Sequence, residues 1–247
     1  MNQPWELRPA RDHGLTPAER LRSIGREPGL GSRIMGAAWR ALVRAYLRLF
    51  HRLQIEGRAN LPPEPPFVMV ANHASHLDAL TLAAALPPSL ARRAFALAAG
   101  DTFFTSNAKA AFAAYAINAL PVWRTKTSAR DLTELRQRLH EDRSVLILFP
   151  EGTRTRTGEM GKFKPGIGAL VAGTPVPVVP CYLHGAYRAW PPGQKLPRPY
   201  PLRLAIGAPL EFSASGKDRA GLNEVTARCE AEVAAMARST PGDASSA

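Results

Sequence analysis

Hydrophobic positions along this chain change their spacing several times. Between residues 33 and 54, Trp39, Leu42, Val43, Tyr46, Phe50 and Leu53 follow the i, i+3, i+4, i+7 rhythm of a helix face. Arg40, Arg44, Arg48 and Arg52 recur every four residues and stack on another face. The spacing predicts a basic amphipathic helix over 33–54. From residue 67 the pattern becomes short apolar runs separated by helix-forming stretches. Phe67-Val68-Met69-Val70-Ala71 and Val145-Leu146-Ile147-Leu148-Phe149 read as buried strands, with further strands over 95–98, 120–123, 176–183 and 202–206. Pro121 suits an edge strand better than a central one. Helices are expected over 79–85, 101–116, 128–139 and 217–238. This alternation predicts an α/β fold: one domain with a mostly parallel central sheet flanked by helices. In such sheets functional residues gather just beyond the carboxyl ends of the strands.

Length and composition suit one core: 247 residues, 45% of them hydrophobic. The expected organisation is a polar segment over 1–32, the amphipathic helix over 33–54, the main domain over 55–239 and a disordered tail over 240–247. The net charge of +12 asks for an anionic partner. The helix over 33–54 should not span a bilayer. Four arginines near the bilayer centre cost roughly 2.5 to 3.5 kcal/mol each, whereas about ten apolar residues return only roughly 0.3 to 0.6 kcal/mol each. Lying in the interface is different, because each arginine gains about 1 kcal/mol from an anionic surface. The competing reading is a helix packed on its own domain. Cys181 and Cys229 stand far apart and form no metal-binding or disulfide pattern, which points to a reducing compartment. No signal-peptide pattern opens the chain. No nucleic-acid-binding module is recognisable, so no nucleic-acid partner is expected.

The first candidate chemistry is Asn72-His73-Ala74-Ser75-His76-Leu77-Asp78, just past the strand ending at Ala71. On a continuous helix His73 and Asp78 would stand about 140° apart, and on a continuous strand they would face opposite sides. They can meet only across a strand-to-helix turn. Ser75 with Asp78 three residues on has the capping-box spacing for such a turn. Asp78 would then take the Nδ1–H of His73 and leave Nε2 as a base for a substrate hydroxyl. Two plainer readings compete: Asp78 as a simple helix cap beside a polar loop histidine, or His73, His76 and Asp78 as metal ligands. The second constellation is Phe149-Pro150-Glu151-Gly152-Thr153-Arg154, followed by Arg156, Lys162 and Lys164. It offers a flexible backbone, a hydroxyl and a planar fork for an oxyanion. The GxxxxGK[ST] pattern is absent, so this is not a nucleotide P-loop.

Together these segments resemble the phospholipid and glycerol acyltransferase family over roughly residues 55–210. Asn72, His73 and Asp78 match its Asn-His-x4-Asp motif, and residues 149–154 match its Phe-Pro-Glu-Gly-Thr/Ser-Arg motif. Phe163-Lys164-Pro165-Gly166 and Val176-Pro177-Val178-Val179-Pro180 match later family segments. Arg124 matches the arginine of a further motif, with Asn118 where the family has glycine. The resemblance implies that His73 is the general base and Asp78 its orienter. It implies that Arg124, Glu151, Gly152, Thr153 and Arg154, with Asn72 and Lys164, bind substrate. The expected reaction moves a fatty acyl group from acyl-CoA or acyl-carrier protein to a lysophospholipid hydroxyl, with 1-acyl-glycerol-3-phosphate as the leading acceptor. A lyso-ornithine lipid acceptor and a non-catalytic lipid-binding role are the alternatives. No metal and no cofactor beyond the acyl donor is implied. The expected location is peripheral, on an anionic membrane surface at its cytoplasmic side.

Overall fold

Residues Phe67–Ala71 can sit at the centre of a sheet because none of their side chains needs water on either face, and all five are fully buried. The computed structural model describes residues 14–16, 19, 20, 23, 30–99, 118–122 and 129–239. Within these the elements are α1 (Leu30–Phe50), β1 (Gln54–Glu56), β2 (Phe67–Ala71), α2 (Leu77–Ala85), α3 (Pro88–Ala91), β3 (Ala94–Ala99) and β4 (Ala119–Val122). They continue with α4 (Ala129–His140), β5 (Val145–Leu148), α5 (Gly166–Val171), β6 (Val178–His184), α6 (Ala186–Ala189), β7 (Arg203–Ile206) and α7 (Arg219–Ser239). The described strands lie in the order β1-β7-β6-β2-β5-β3-β4. The five from β6 to β4 are parallel, with Val68 opposite both Leu146 and Val178. β7 runs antiparallel to β6, and β1 parallel to β7. Pro121 falls in β4, at the edge of the sheet. The expected helix over 101–116, the segment 123–128 and the tail 240–247 lie outside the described residues, as does most of 1–29.

Alternation along each strand sorts the core into two layers. Phe67, Met69, Val145, Ile147, Val179 and Leu183 pack with Leu77 and Leu82 of α2 and with Val43 and Leu47 of α1. Val68, Val70, Leu146 and Val178 pack on the other face with Leu135 of α4, Ile167 of α5, and Val225 and Val233 of α7. Cys181 and Cys229 fall in opposite layers, buried and free of any disulfide.

α1 rests on this scaffold along one edge. Arg44 is half-buried and donates from Nε to the Ala84 carbonyl (3.1 Å) and from Nη2 to the Leu86 carbonyl (2.6 Å). This closes the carboxyl end of α2, where a cation is favoured. Arg40 is half-buried on the same flank. The exposed residues of α1 from 37 onward are then Ala37, Ala38, Trp39, Ala41, Leu42, Ala45, Arg48, Leu49 and Phe50. The sequence pattern sets all the arginines against an aromatic face. In the fold, Arg44 turns inward because the end of α2 supplies carbonyl acceptors, Arg40 is half-buried beside it, and the outward face is largely apolar. The helix also ends earlier than its periodicity suggests. Arg52 adopts φ 47°, and the chain enters β1 at Gln54.

Candidate active site

β2 ends where Asn72 takes over its pairing role. The buried Asn72 carboxamide accepts the Leu183 N–H at Oδ1 (2.8 Å) and donates from Nδ2 to the Leu183 carbonyl (3.1 Å). The side chain thus continues the β2–β6 ladder for one step while the backbone turns away. That turn carries His73 out of the sheet and returns the chain into α2, so residues five apart can meet.

They do meet. His73 Nδ1 lies 2.8 Å from Asp78 Oδ2. A carboxylate only accepts, so Nδ1 carries the proton and the neutral ring presents Nε2 as a lone pair. The Asp78 side chain is 1% exposed and that of His73 19%, so the carboxylate is inside and the imidazole reaches the surface. The same Oδ2 accepts the backbone N–H groups of Ala74 (2.7 Å) and Ser75 (2.8 Å). Asp78 therefore fills both roles that the sequence left open, turn cap and histidine partner. The Ser75–Asp78 box is half formed. Asp78 reaches back to the Ser75 N–H, but Ser75 Oγ accepts from Leu77 N (3.2 Å), and the helix starts at Leu77 with His76 as its N-cap. Asp78 Oδ1 is buried with no hydrogen-bond partner.

The loop after β5 holds His73 from the other side. The imidazole lies flat on the Phe149 ring, 4.3 Å between centroids and 16° between planes. Glu151 is buried and bridges two loops. Its Oε1 accepts the His73 N–H (2.6 Å) and its Oε2 the Gly161 N–H (2.8 Å). Burial raises its pKa, and the two N–H bonds oppose that rise. The Thr155 N–H closes the arrangement on the His73 carbonyl (2.8 Å). Gly152 sits at φ 73°, and a Cβ there would lie 3.0 Å from Lys164 Nζ, so glycine lets the exposed lysine fold over this turn. Thr153 is exposed, and Arg154 is half-buried with a favourable charge interaction toward Asp78.

A third wall comes from the segment after β6. Ser75 Oγ donates to the Trp190 carbonyl (2.9 Å), and the Trp190 ring stands 5.2 Å from that of His76. Tyr187 donates its hydroxyl to the Arg156 carbonyl (2.6 Å). Residues 187–190 thus stitch the two motif loops together. His76 is lowered to about 4, first by burial and then by Arg154 and His73, with Asp78 opposing. It stays neutral where His73 would work. Among the described residues, no group of three His, Cys, Asp or Glu side chains is arranged to hold a metal ion.

The structure brings His73, Asp78, Glu151, Gly152, Arg154 and Lys164 to one edge of the sheet, with Thr153 exposed beside them. Asn72 faces β6, and both of its amide groups are engaged there. Arg124 lies outside the described residues. Sequence reasoning did not single out Tyr187 or Trp190 for this site. Their partners are distant in the chain, and no local spacing marks them.

Comparison with known proteins places this geometry in context. The Acyltransferase family model matches residues 52–184. The chain is 31% identical over 129 residues to human 1-acyl-sn-glycerol-3-phosphate acyltransferase alpha, a match covering 52% of this chain and 44% of that protein. It is 32% identical over 147 residues to the chloroplastic 1-acyl-sn-glycerol-3-phosphate acyltransferase LPAT1 of Arabidopsis thaliana, covering 59% and 40%. The chain thus spans less than half the length of these relatives. In fold it is similar to the crystal structure of the 1-acyl-sn-glycerophosphate acyltransferase PlsC from Thermotoga maritima, with a TM-score of 0.59, 24% identity, and coverage of 82% of this chain and 81% of that one.

Proposed function

The chain belongs to the acyltransferase family, and from that premise we propose that it moves a fatty acyl group from a thioester donor to the free hydroxyl of a lysophospholipid. The leading acceptor is 1-acyl-glycerol-3-phosphate, and the donor is acyl-CoA or acyl-carrier protein. The observation that carries this reading is the 2.8 Å bond from His73 Nδ1 to Asp78 Oδ2, which leaves Nε2 as a base at the protein surface.

The proposed chemistry uses this geometry directly. Nε2 removes the proton of the acceptor hydroxyl as its oxygen attacks the thioester carbonyl. Asp78 stabilises the imidazolium that forms. The tetrahedral oxyanion collapses, the C–S bond breaks, and the leaving thiolate takes the proton back from Nε2. A positioned base of this kind contributes about 10²- to 10⁴-fold. Phe149 and Glu151 hold the ring and backbone of His73 in place. Arg154, Lys164 and Thr153 face the acceptor's phosphate and glycerol, and the family resemblance implies the same role for Arg124. Gly152 gives the backbone its close approach, and Asn72 acts by anchoring the turn. The transfer needs no group beyond the donor's thioester.

We place the protein at an anionic bilayer surface on its cytoplasmic side, through α1. Leu42 is 60% exposed and Leu49 83%. Leaving a leucine in water forgoes roughly 1.5 to 3 kcal/mol relative to burial. A membrane interface recovers part of that energy, and Arg48 on the same exposed face suits anionic lipid. Among the described residues no helix is long and apolar enough to cross a membrane.

The test is an acceptor-by-donor activity matrix with mass-spectrometric identification of products, run on wild type and His73→Ala. The expected result is a lysophospholipid acylated by wild type and not by the variant, with the fold retained. Wild-type-like transfer by His73→Ala would remove the base assignment. Failure of every lysolipid with both donors would remove the enzyme.

A further inference from the structure

A cleft of about 200 Å³ opens between α1, the end of α2 and the turn after β1. Arg44, Arg48 and Arg58 wall it, over a floor that includes Ile55, Leu86 and Pro87. At 1.5 Å per residue, Leu86 stands roughly 12 Å from Asp78 along the axis of α2. The cleft shares no lining residue with the His73 constellation.

Among the described residues its charge is uncompensated. None of the described residues lining it is a carboxylate. Arg44 spends Nε and Nη2 on two carbonyls, which are neutral acceptors that hold the guanidinium without cancelling its charge. No ion pair joins Arg44, Arg48 or Arg58 to a described carboxylate. Burial lowers the Arg44 pKa first, and Arg58 and Arg48 then lower it further by repulsion. Arg40 is lowered by burial, then by Arg44 and Arg92, so the positive field extends along the helix.

The backbone that carries these arginines is anchored. Gly57 adopts φ 71°, and a Cβ there would collide with the Ile206 carbonyl. Asn60 Nδ2 donates to that same carbonyl (2.8 Å). Arg58 therefore sits on a turn pinned to the end of β7. Arg44 is fixed by its own bonds to α2. Like charges gathered on rigid backbone cost stability unless an anion joins them.

We propose that this cleft binds the phosphate group of a phosphate ester, with the attached carbon chain lying over the apolar floor. Arg48, Arg58 and the remaining donors of Arg44 can serve several oxygens of a tetrahedral oxyanion, whereas a carboxylate is served by one fork. Two sources share this chemistry, a phospholipid headgroup in a bilayer and a soluble phosphate ester. The proposal stands on the cleft alone and does not depend on acyl transfer.

The test uses the full chain. Inorganic phosphate is titrated against chloride at matched ionic strength, with thermal unfolding as the readout. Flotation is measured with phosphatidylcholine vesicles made with and without phosphatidate. Phosphate should raise the unfolding temperature of wild type. Arg48→Glu and Arg58→Glu, both exposed positions, should each raise the half-saturating phosphate concentration about tenfold or more, as expected for one lost charge-assisted partner. Their unfolding in chloride should stay close to wild type. If flotation of Arg58→Glu, whose charge lies off α1, falls on phosphatidate in parallel, the occupant is a lipid headgroup. If only the phosphate response falls, it is a soluble ester. Either result supports the site. No phosphate response in wild type overturns the proposal, and so does a response that survives in the Arg48→Glu/Arg58→Glu double variant. His73→Ala should keep the phosphate response, so this inference and the acyl-transfer reading can fail separately.

Discussion

At the carboxyl edge of the sheet, a histidine meets a carboxylate that already holds two backbone N–H groups, and a buried glutamate locks the histidine's own N–H. Between α1 and α2, three arginines face one cleft with no described carboxylate among them. Both regions are polar, and both sit where helix meets sheet. In the first, opposite partners are matched inside the protein, which fixes an atom, Nε2, for chemistry. In the second, like charges stay unmatched, which fixes a field for something outside. On the proposed reading, internal satisfaction goes with the reacting group and internal deficit with the docking site.

The largest expected effect tests the matched side. In Asp78→Asn a carboxamide replaces the group that only accepts, so it no longer enforces the Nδ1–H tautomer. Transfer should fall on the scale of about 10⁴-fold, the loss that follows the same change in a Ser-His-Asp triad. Circular dichroism should stay native. Rates within tenfold of wild type would mean that Asp78 is only a cap.

Glu151→Gln should do less to the rate and more to the fold. The carboxamide can serve one of the two N–H groups and turns its NH2 toward the other. Leaving a buried donor unmet costs about 1 to 3 kcal/mol, measurable as a shifted denaturant midpoint. The transfer rate should fall by about 10²-fold as His73 loosens. A stable protein whose KM for the acceptor alone has changed would return Glu151 to direct substrate contact and weaken the comparison.

The matched side was the more legible of the two in sequence. The run at 67–71 marks a strand, five-residue spacing forces a bend, and Ser75 and Asp78 supply one, so His73 and Asp78 could be paired before any coordinates. The same reasoning could not see why Asn72 or Glu151 is present. Asn72 bonds Leu183, 111 residues away, and Glu151 bonds His73, 78 residues away. Local spacing carries no record of such partners. α1 shows the same limit. Periodicity places its arginines on one face but cannot say that α2 ends beneath Arg44, so the inward turn of that residue was not legible. The antiparallel pairing of β7 was likewise invisible, because a four-residue strand pattern such as Arg203–Ile206 reads the same in either direction.

The unmatched side is sharpened by the outward face of α1. Leu42→Asp and Leu49→Asp should each reduce flotation on anionic vesicles by about tenfold or more, since burying a leucine is worth roughly 1.5 to 3 kcal/mol. The response to inorganic phosphate should be unaffected, because neither residue lines the cleft. Flotation equal to wild type in the double variant would remove α1 as the anchor.

The smallest effect probes how far the matched side controls charge. His76 packs against the Trp190 ring, and its pKa is lowered from 6.5 to about 4, first by burial and then by neighbours that include Arg154. Below pH 6.5 the unfolded chain takes up a proton that the folded protein refuses, so stability should fall between pH 6.5 and about 4 and then level off. His51 is also lowered by burial and adds to the fall with the same sign. Glu151 acts with the opposite sign: its raised pKa means the folded state binds a proton first, which adds stability as pH drops through that value. His76→Asn removes one contributor, so urea midpoints followed from pH 6.5 to 4 should decline less steeply than in wild type. Parallel slopes would mean that His76 accepts its proton in the folded state, and that its burial leaves it as free to charge as any surface histidine.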